Sequence, residues 1–227
     1  MKKRAIRPLR ITALVVAWIV CLITAAAQEH KDWAGFNRYK EQNIQISMPP
    51  KVVFIGNSIT QHWAAIHPDF FQKHNYIGRG ISGQTSAQML VRFRQDVIDL
   101  APQKVVILAG INDIAQNNGY IALENVVSNI VSMCQLAQAN GIEPLICSVT
   151  PADTIPWRSN IKPAEKIVLL NEMLKNYALQ HDIIFVDYYA KMVSPSGGLL
   201  PNLTTDGVHL TPDGYRVIEQ IILSFNL

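Results

Sequence analysis

Short apolar runs alternate along the chain with longer segments in which apolar residues recur every three or four positions. The short runs are typical of buried strands, and they fall at 51–57, 76–81, 104–110, 143–151 and 182–188. The longer segments have helical periodicity, at 84–100, 121–141, 163–181 and 211–225. The pattern therefore predicts a chain in which strands and helices take turns.

This alternation predicts an α/β fold of three layers, with a parallel sheet covered by helices on both faces. No internal repeat and no Gly/Ser-rich linker divides the pattern, so we expect one domain over residues 51–227. The stretch "HKDWAGFNRYKEQN" before it resembles a short amphipathic helix. Residues 28–50 are accordingly predicted to form a helical extension that packs on the domain.

Residues 1–27 have the composition of a secretory signal peptide. Five basic residues and no acidic residue occupy the first ten positions, an uncharged run extends from Ile11, and the segment closes on Ala25-Ala26-Ala27. An uncleaved membrane anchor is the alternative, because the apolar run is nearly long enough to span a bilayer. The small residues at the end favour cleavage after Ala27, which predicts a secreted or periplasmic protein without a stable membrane span.

Removal of this segment changes the charge of the protein. The signal holds five of the 20 basic residues and none of the 17 acidic ones, so the mature chain carries 15 − 17 = −2 charges. A basic surface for nucleic acid is therefore not expected. Cys134 and Cys147 remain after cleavage; export would permit a disulfide, but their apolar surroundings in the sequence favour two buried free thiols.

Polar residues follow the predicted strands, where the active groups of α/β proteins gather. Ser58 comes after the first strand, Gly83 after the second and Asn112 after the third, while Asp206 and His209 stand just before the last helix. A serine hydroxyl becomes nucleophilic when a base takes its proton, and a carboxylate three residues before a histidine can hold the second ring nitrogen. The set predicts a catalytic triad.

Acyl transfer also needs donors for the oxyanion of its tetrahedral intermediate. The side-chain amide of Asn112 and the backbone N–H groups of Ser58 and Gly83 are the candidates, since a glycine lets the main chain approach a substrate closely. The spacing of Gly78, Gly80 and Gly83 matches the dinucleotide fingerprint G-x-G-x-x-G. Here it lies in the second strand–helix turn, with no acidic residue at the end of the next strand, which argues against a nicotinamide cofactor.

The blocks "FIGNSIT", "GRGISGQTS", "GIND" and "DGVH" together resemble the SGNH (GDSL-type) esterase and acetylhydrolase family, over the span from Val52 to Tyr215. Within it, the chain looks most similar to platelet-activating-factor acetylhydrolase-like and lysophospholipase-like members. The resemblance implies a flavodoxin-like sheet of order 2-1-3-4-5, no cofactor, and the triad and oxyanion roles given above. Two positions depart from the family pattern: Asn57 replaces the usual Asp, and Gly78 replaces the usual Asn.

Two functions remain open from the sequence. One is an exported serine esterase that removes a small acyl group, with acetyl as the expected one, from a carbohydrate or lipid ester. The other is a non-catalytic carbohydrate-binding module, favoured only by Asn57. Asn57, Ile111 and Trp157 are the positions suggested for substrate binding. His62, His67 and His74 match no metal-ligand spacing, so exposed polar positions and no metal are expected. Oligomeric state is not predicted.

Overall fold

Five parallel strands form the centre of the fold. The computed structural model describes residues 32–227, and its sheet has the order β2-β1-β3-β4-β5. In the register of the first pair, Val52 lies beside Tyr76 and Gly56 beside Gly80. The strand bounds are β1 Val52–Gly56, β2 Tyr76–Gly80, β3 Lys104–Ile107, β4 Glu143–Cys147 and β5 Ile184–Val186. Both the predicted fold class and the predicted strand order are confirmed.

Alternate side chains of each central strand enter two separate apolar cores. In β1, Val53 and Ile55 belong to one core, whereas Val52 and Phe54 belong to the other. Successive side chains of a strand point to opposite faces, so a sheet that is covered on both faces needs a continuous apolar run. This is why the sequence of β1 shows no polar alternation.

Helices cover both faces of the sheet. The first core receives residues from α4, α5, α6 and α7, and the second from α2, α3, α8 and α9. The helix bounds are α1 Lys40–Ile44, α2 Ser58–Ile66, α3 Pro68–His74, α4 Ser86–Asp96, α5 Ile111–Ile114, α6 Leu123–Ala139, α7 Ala164–Gln180, α8 Tyr189–Met192 and α9 Pro212–Leu223. Pro212 stands in the first turn of α9, and the side chain of Thr211 caps that helix by accepting from the N–H of Gly214.

The helical pattern at 84–100 corresponds to two elements. Helix α4 ends at Asp96, and a short 3-10 turn follows at Ile98–Leu100. Helices α2, α3, α5 and α8 had no clear helical pattern in the sequence. In α2 the buried residues are Ser58, Ile59, Thr60 and Trp63, so the positions that the helix buries are partly polar.

The segment before β1 contacts the domain mainly through hydrogen bonds. Its one helix among the described residues is the five-residue α1, flanked by turns. The hydroxyl of Tyr39 donates to the carbonyl of Gly80, and the Asn43 amide donates to Asp96 in α4 at 2.9 Å. Residues 1–27, the predicted signal peptide, lie outside the described part of the chain. Within residues 32–227 no helix combines the length and hydropathy that a bilayer-crossing segment requires.

Candidate active site

Three side chains from distant parts of the chain meet at the carboxyl edge of the sheet. The Nε2 atom of His209 lies 2.9 Å from Oγ of Ser58, and its Nδ1 lies 2.7 Å from Oδ2 of Asp206. A carboxylate can only accept, so Nδ1 carries the proton and Nε2 is free to accept from the serine hydroxyl. This is the order of contacts in which a serine can be deprotonated by a histidine.

Asp206 is held by the turn that carries His209. Its Oδ1 accepts the backbone N–H groups of Val208 and His209 at 2.9 and 2.8 Å, which leaves Oδ2 for the ring. Partial burial pushes the pKa of Asp206 upward, but the hydrogen bonds from His209 and Val208 outweigh it and keep the pKa below the usual value. The carboxylate therefore stays ionised and can stabilise a protonated imidazole.

Ser58 occupies the first turn of α2, directly after β1. Oδ1 of Asn57 accepts the N–H of Ile59 at 3.0 Å and so caps the helix. The N–H of Ser58 has no partner inside its own helix, because the first N–H groups of a helix never do. It therefore lies without an intrahelical partner at the positive end of the helix dipole, where a negative charge is stabilised.

The glycines of the second block allow α2 to lie close on β2. A Cβ atom at Gly80 would come within 2.2 Å of the backbone nitrogen of Gln61 and 2.6 Å of the carbonyl oxygen of Asn57. Gly83 has φ +78°, which favours glycine, and only the side chain of Asn117 lies within 4 Å of a Cβ built there. Gly80 thus lets the segment that carries Ser58 lie close against the end of β2.

Ser58 and His209 open onto a cavity of about 380 Å³, and Asp206 reaches it only through the His209 ring. The cavity contains both remaining oxyanion candidates, Gly83 and Asn112, so the structure brings together all the residues predicted for the triad and the oxyanion site. The side-chain nitrogen of Asn112 donates to the carbonyl of Gln84 at 2.9 Å, which leaves one of its two hydrogens unassigned. The cavity is lined by Ser58, His62, Ser82, Gly83, Asn112, Asn117, Trp157 and His209.

A buried carboxylate lies directly behind Asn112. Asp113 accepts from the N–H of Ser86 and from its hydroxyl, the latter at 2.6 Å, at the start of α4. Burial raises the pKa of Asp113 to about 6, although the hydrogen bonds from Ser86 pull it down. The contact ties the loop after β3 to the helix after the second block.

Two of the three positions suggested for substrate binding are buried and lie outside the cavity lining. Asn57 is 1 % exposed and caps α2, while Ile111 is 2 % exposed and packs in the first core. Neither side chain lines the cavity, so we correct the suggestion for both. Trp157 does line it, with its ring centroid 5.9 Å from that of His209.

Sequence reasoning missed three cavity residues, His62, Ser82 and Asn117. His62 was expected to be an exposed polar residue, but its ring lies 5.3 Å from that of His209. Burial, and then the nearby His209, lower the pKa of His62. The position follows Ser58 by four residues, so a helix predicted after the first strand would have placed both on one face.

A serine hydrogen-bonded to a histidine–aspartate pair, at the carboxyl edge of a flavodoxin-like sheet, defines the class of acyl-transfer hydrolases. Residues 54–217 match the model of the GDSL-like lipase/acylhydrolase family. This chain belongs to that family and is a hydrolase that acts on esters.

Two solved structures of similar sequence agree with the assignment, and more distant relatives share the fold or part of the sequence. The chain is 50 % identical to a candidate acylhydrolase from Bacteroides fragilis NCTC 9343 (TM-score 0.84; 86 % of this chain and 97 % of that one). It is 47 % identical to a GDSL-like lipase from Bacteroides thetaiotaomicron VPI-5482 (TM-score 0.83; 86 % and 98 %). An acetyl xylan esterase has the same fold at 23 % identity (TM-score 0.64; 78 % and 99 %). An uncharacterized lipoprotein of Bacillus subtilis (strain 168) is 20 % identical over 170 residues (63 % and 70 %).

Proposed function

We propose that the protein is an exported serine esterase that removes a small acyl group, acetyl above all, from a carbohydrate ester. The observation that carries this proposal is the contact of Ser58 Oγ with His209 Nε2, while Asp206 accepts from the other ring nitrogen. Ser58 is the nucleophile, His209 the general base and Asp206 the residue that orients it. The lipoprotein relative and the composition of residues 1–27 support export.

The reaction would take two steps. Oγ of Ser58 attacks the carbonyl carbon while its proton passes to Nε2 of His209, and the oxyanion is met by the N–H groups of Ser58 and Gly83 and the amide of Asn112. The intermediate collapses to an acyl-enzyme, and the alcohol leaves with the proton from His209. Water, deprotonated by His209, then attacks the acyl-enzyme; the acid leaves and Ser58 regains its proton.

The size and lining of the cavity support a small acyl group. Its volume of about 380 Å³ is near the lower end for ligand pockets. Apart from Gly83, every lining residue carries a polar group, and Trp157 supplies the single large ring. These polar groups can meet the hydroxyls of a sugar, although most of the exposed wall is apolar, so the small volume is what disfavours a long alkyl chain. The fold is also that of an acetyl xylan esterase, which is consistent with an acetylated sugar.

The alternative of a non-catalytic binding module loses the feature that favoured it. Asn57 was the departure that raised doubt about the chemistry, and its side chain caps helix α2 as a short polar residue should. The triad contacts do not involve it.

Hydrolysis of p-nitrophenyl esters of increasing chain length tests the proposal, with Ser58→Ala measured alongside. We expect activity that is highest on acetate, declines with chain length and is abolished in Ser58→Ala. Ser128→Ala is the matched control, since the Ser128 hydroxyl donates to the carbonyl of Glu124 on the exposed face of α6 and does not line the cavity; it should stay within about threefold of wild type. Activity that survives in Ser58→Ala, or that rises with chain length, contradicts the proposal.

A further inference from the structure

A chain of three side chains leads from the rim of the cavity to the oxyanion site. The indole nitrogen of Trp157 lies 3.0 Å from Oδ1 of Asn117. The side-chain nitrogen of Asn117 lies 3.0 Å from Oδ1 of Asn112 and 3.1 Å from the carbonyl oxygen of Gly83. None of these contacts involves the triad.

The chemistry of the donors fixes the direction of these hydrogen bonds. An indole N–H can only donate, so the Asn117 atom that faces Trp157 is its oxygen. The amide nitrogen of Asn117 then faces Asn112, and both of its hydrogens are used, one on Asn112 and one on Gly83. Asn112 must present its oxygen to Asn117, which turns its own nitrogen toward the carbonyl of Gln84 and the cavity.

We propose that Asn117 is a positioning residue for the oxyanion site, and that the indole N–H of Trp157 sets its orientation. The inference rests on the proposed function, in which Asn112 and Gly83 supply oxyanion donors. A single carboxamide holds both of these groups in place, and it does so before any substrate arrives. Preorganised donors of this kind stabilise the transition state without reorganising during the reaction.

The same contacts restrict what Trp157 can offer a substrate. Its side chain is 40 % exposed, but its N–H is bonded to Asn117. The ring therefore presents an apolar face to the cavity, next to His209, and no hydrogen-bond donor. Loss of the N–H should act on turnover through Asn117, whereas loss of the ring should act on substrate binding.

Steady-state hydrolysis of p-nitrophenyl acetate by three single variants tests this. Asn117→Ala should lower kcat about tenfold, the scale of two neutral hydrogen bonds, with KM changed less than threefold. Asn117→Asp, which is nearly isosteric, should be worse than Asn117→Ala because a carboxylate cannot donate to Asn112 or Gly83. A merely structural role predicts the opposite ranking. Trp157→Phe keeps a ring and removes the donor, and should lower kcat about threefold.

Double variants separate positioning from other effects. The kcat loss from Trp157→Phe should disappear in the Asn117→Ala background, and the loss from Asn117→Ala should shrink at least threefold in the Asn112→Ala background. Circular dichroism and thermal melting of each variant exclude unfolding as the cause. Additive losses, or single variants within twofold of wild type, overturn the inference. If wild type is inactive on every ester the proposed function itself fails, which is a different outcome.

Discussion

Arg92 donates hydrogen bonds to the ends of the first two strands and forms a fully buried ion pair. Its removal should be severely destabilising. Its guanidinium contacts Oδ2 of Asp96 at 2.8 Å and donates to the carbonyls of Gly56 and Arg79 at 3.0 and 2.9 Å. It also donates to Gln84. Neither side chain of the ion pair is exposed at all. Gly56 immediately precedes Asn57 and Ser58, so the same group anchors the loop that carries the nucleophile.

Arg92→Met leaves the Asp96 carboxylate buried without its cation and removes one donor each from Gln84 and from the carbonyls of Gly56 and Arg79, of which Gly56 keeps the N–H of Ile81. Breaking a buried pair by removing one partner costs about 3–5 kcal/mol, and the three lost hydrogen bonds place this case at the upper end. We expect a loss of about 5 kcal/mol in the free energy of unfolding, a third or more of what a domain of this size usually has. Urea titration followed by circular dichroism measures it, with an unchanged m-value.

A double-mutant cycle with Asp96→Leu tests whether the unpaired carboxylate causes the loss of stability. The pair Arg92→Met/Asp96→Leu should recover about half of it, because no carboxylate is then buried without a partner. Lys104→Met is the control: Lys104 pairs with Glu143 at side-chain exposures of 22 % and 50 %, and should cost less than about 1 kcal/mol. A loss below about 1.5 kcal/mol in Arg92→Met refutes the reasoning.

Three further predictions concern other buried features. The folded state raises the pKa of Asp113 to about 6, so the contribution of Asp113 to stability is complete below about pH 4 and is lost as pH rises through 6. The free energy of unfolding should therefore fall by up to about 3 kcal/mol across this range, and Asp113→Asn should abolish the fall. Parallel curves of stability against pH for the two proteins would contradict this. Burial raises the pKa of the Cys134 and Cys147 thiols to about 12, so a thiol reagent should label neither before denaturation; labelling of the native protein would show otherwise. Gly80→Ala should lower the free energy of unfolding by about 3 kcal/mol and remove most activity, because the new Cβ would overlap backbone atoms. Gly141→Ala should lower it by about 1 kcal/mol, because nothing lies within 4 Å of its Cβ and only the φ of +73° is unfavourable. Equal losses would argue against the packing explanation.

Much of the site could be predicted because its residues stand in short blocks at strand ends. Ser58, Asn112 and the Asp206–His209 pair each follow a recognisable signal, and the ends of parallel strands meet at one edge of a sheet. Asp206 and His209 are three residues apart, so one turn is enough to join them. The strand order also followed from the family resemblance, and the sheet has it. For the site residues, the information lies within a few consecutive positions of the sequence.

The parts that could not be predicted depend on contacts between distant segments. Asn117 and Trp157 are 40 positions apart and lie in loops without periodicity, yet their hydrogen bond orients the amide beside Asn112. For Asn57 the sequence suggests a substrate contact beside a local bond to the backbone of its turn, and in the folded chain its side chain caps α2 and stays outside the cavity.

The sequence by itself determined the two-sided sheet, and it was enough to propose the triad and its oxyanion donors, because apolar periodicity and the polar residues of a loop are both visible in consecutive positions. The tertiary structure alone decided how those groups are aimed. Hydrogen-bond direction depends on which atom faces which across the folded chain, as the indole of Trp157 and the buried guanidinium of Arg92 show. Packing brings the two partners of each such hydrogen bond together, and no short stretch of sequence contains both partners.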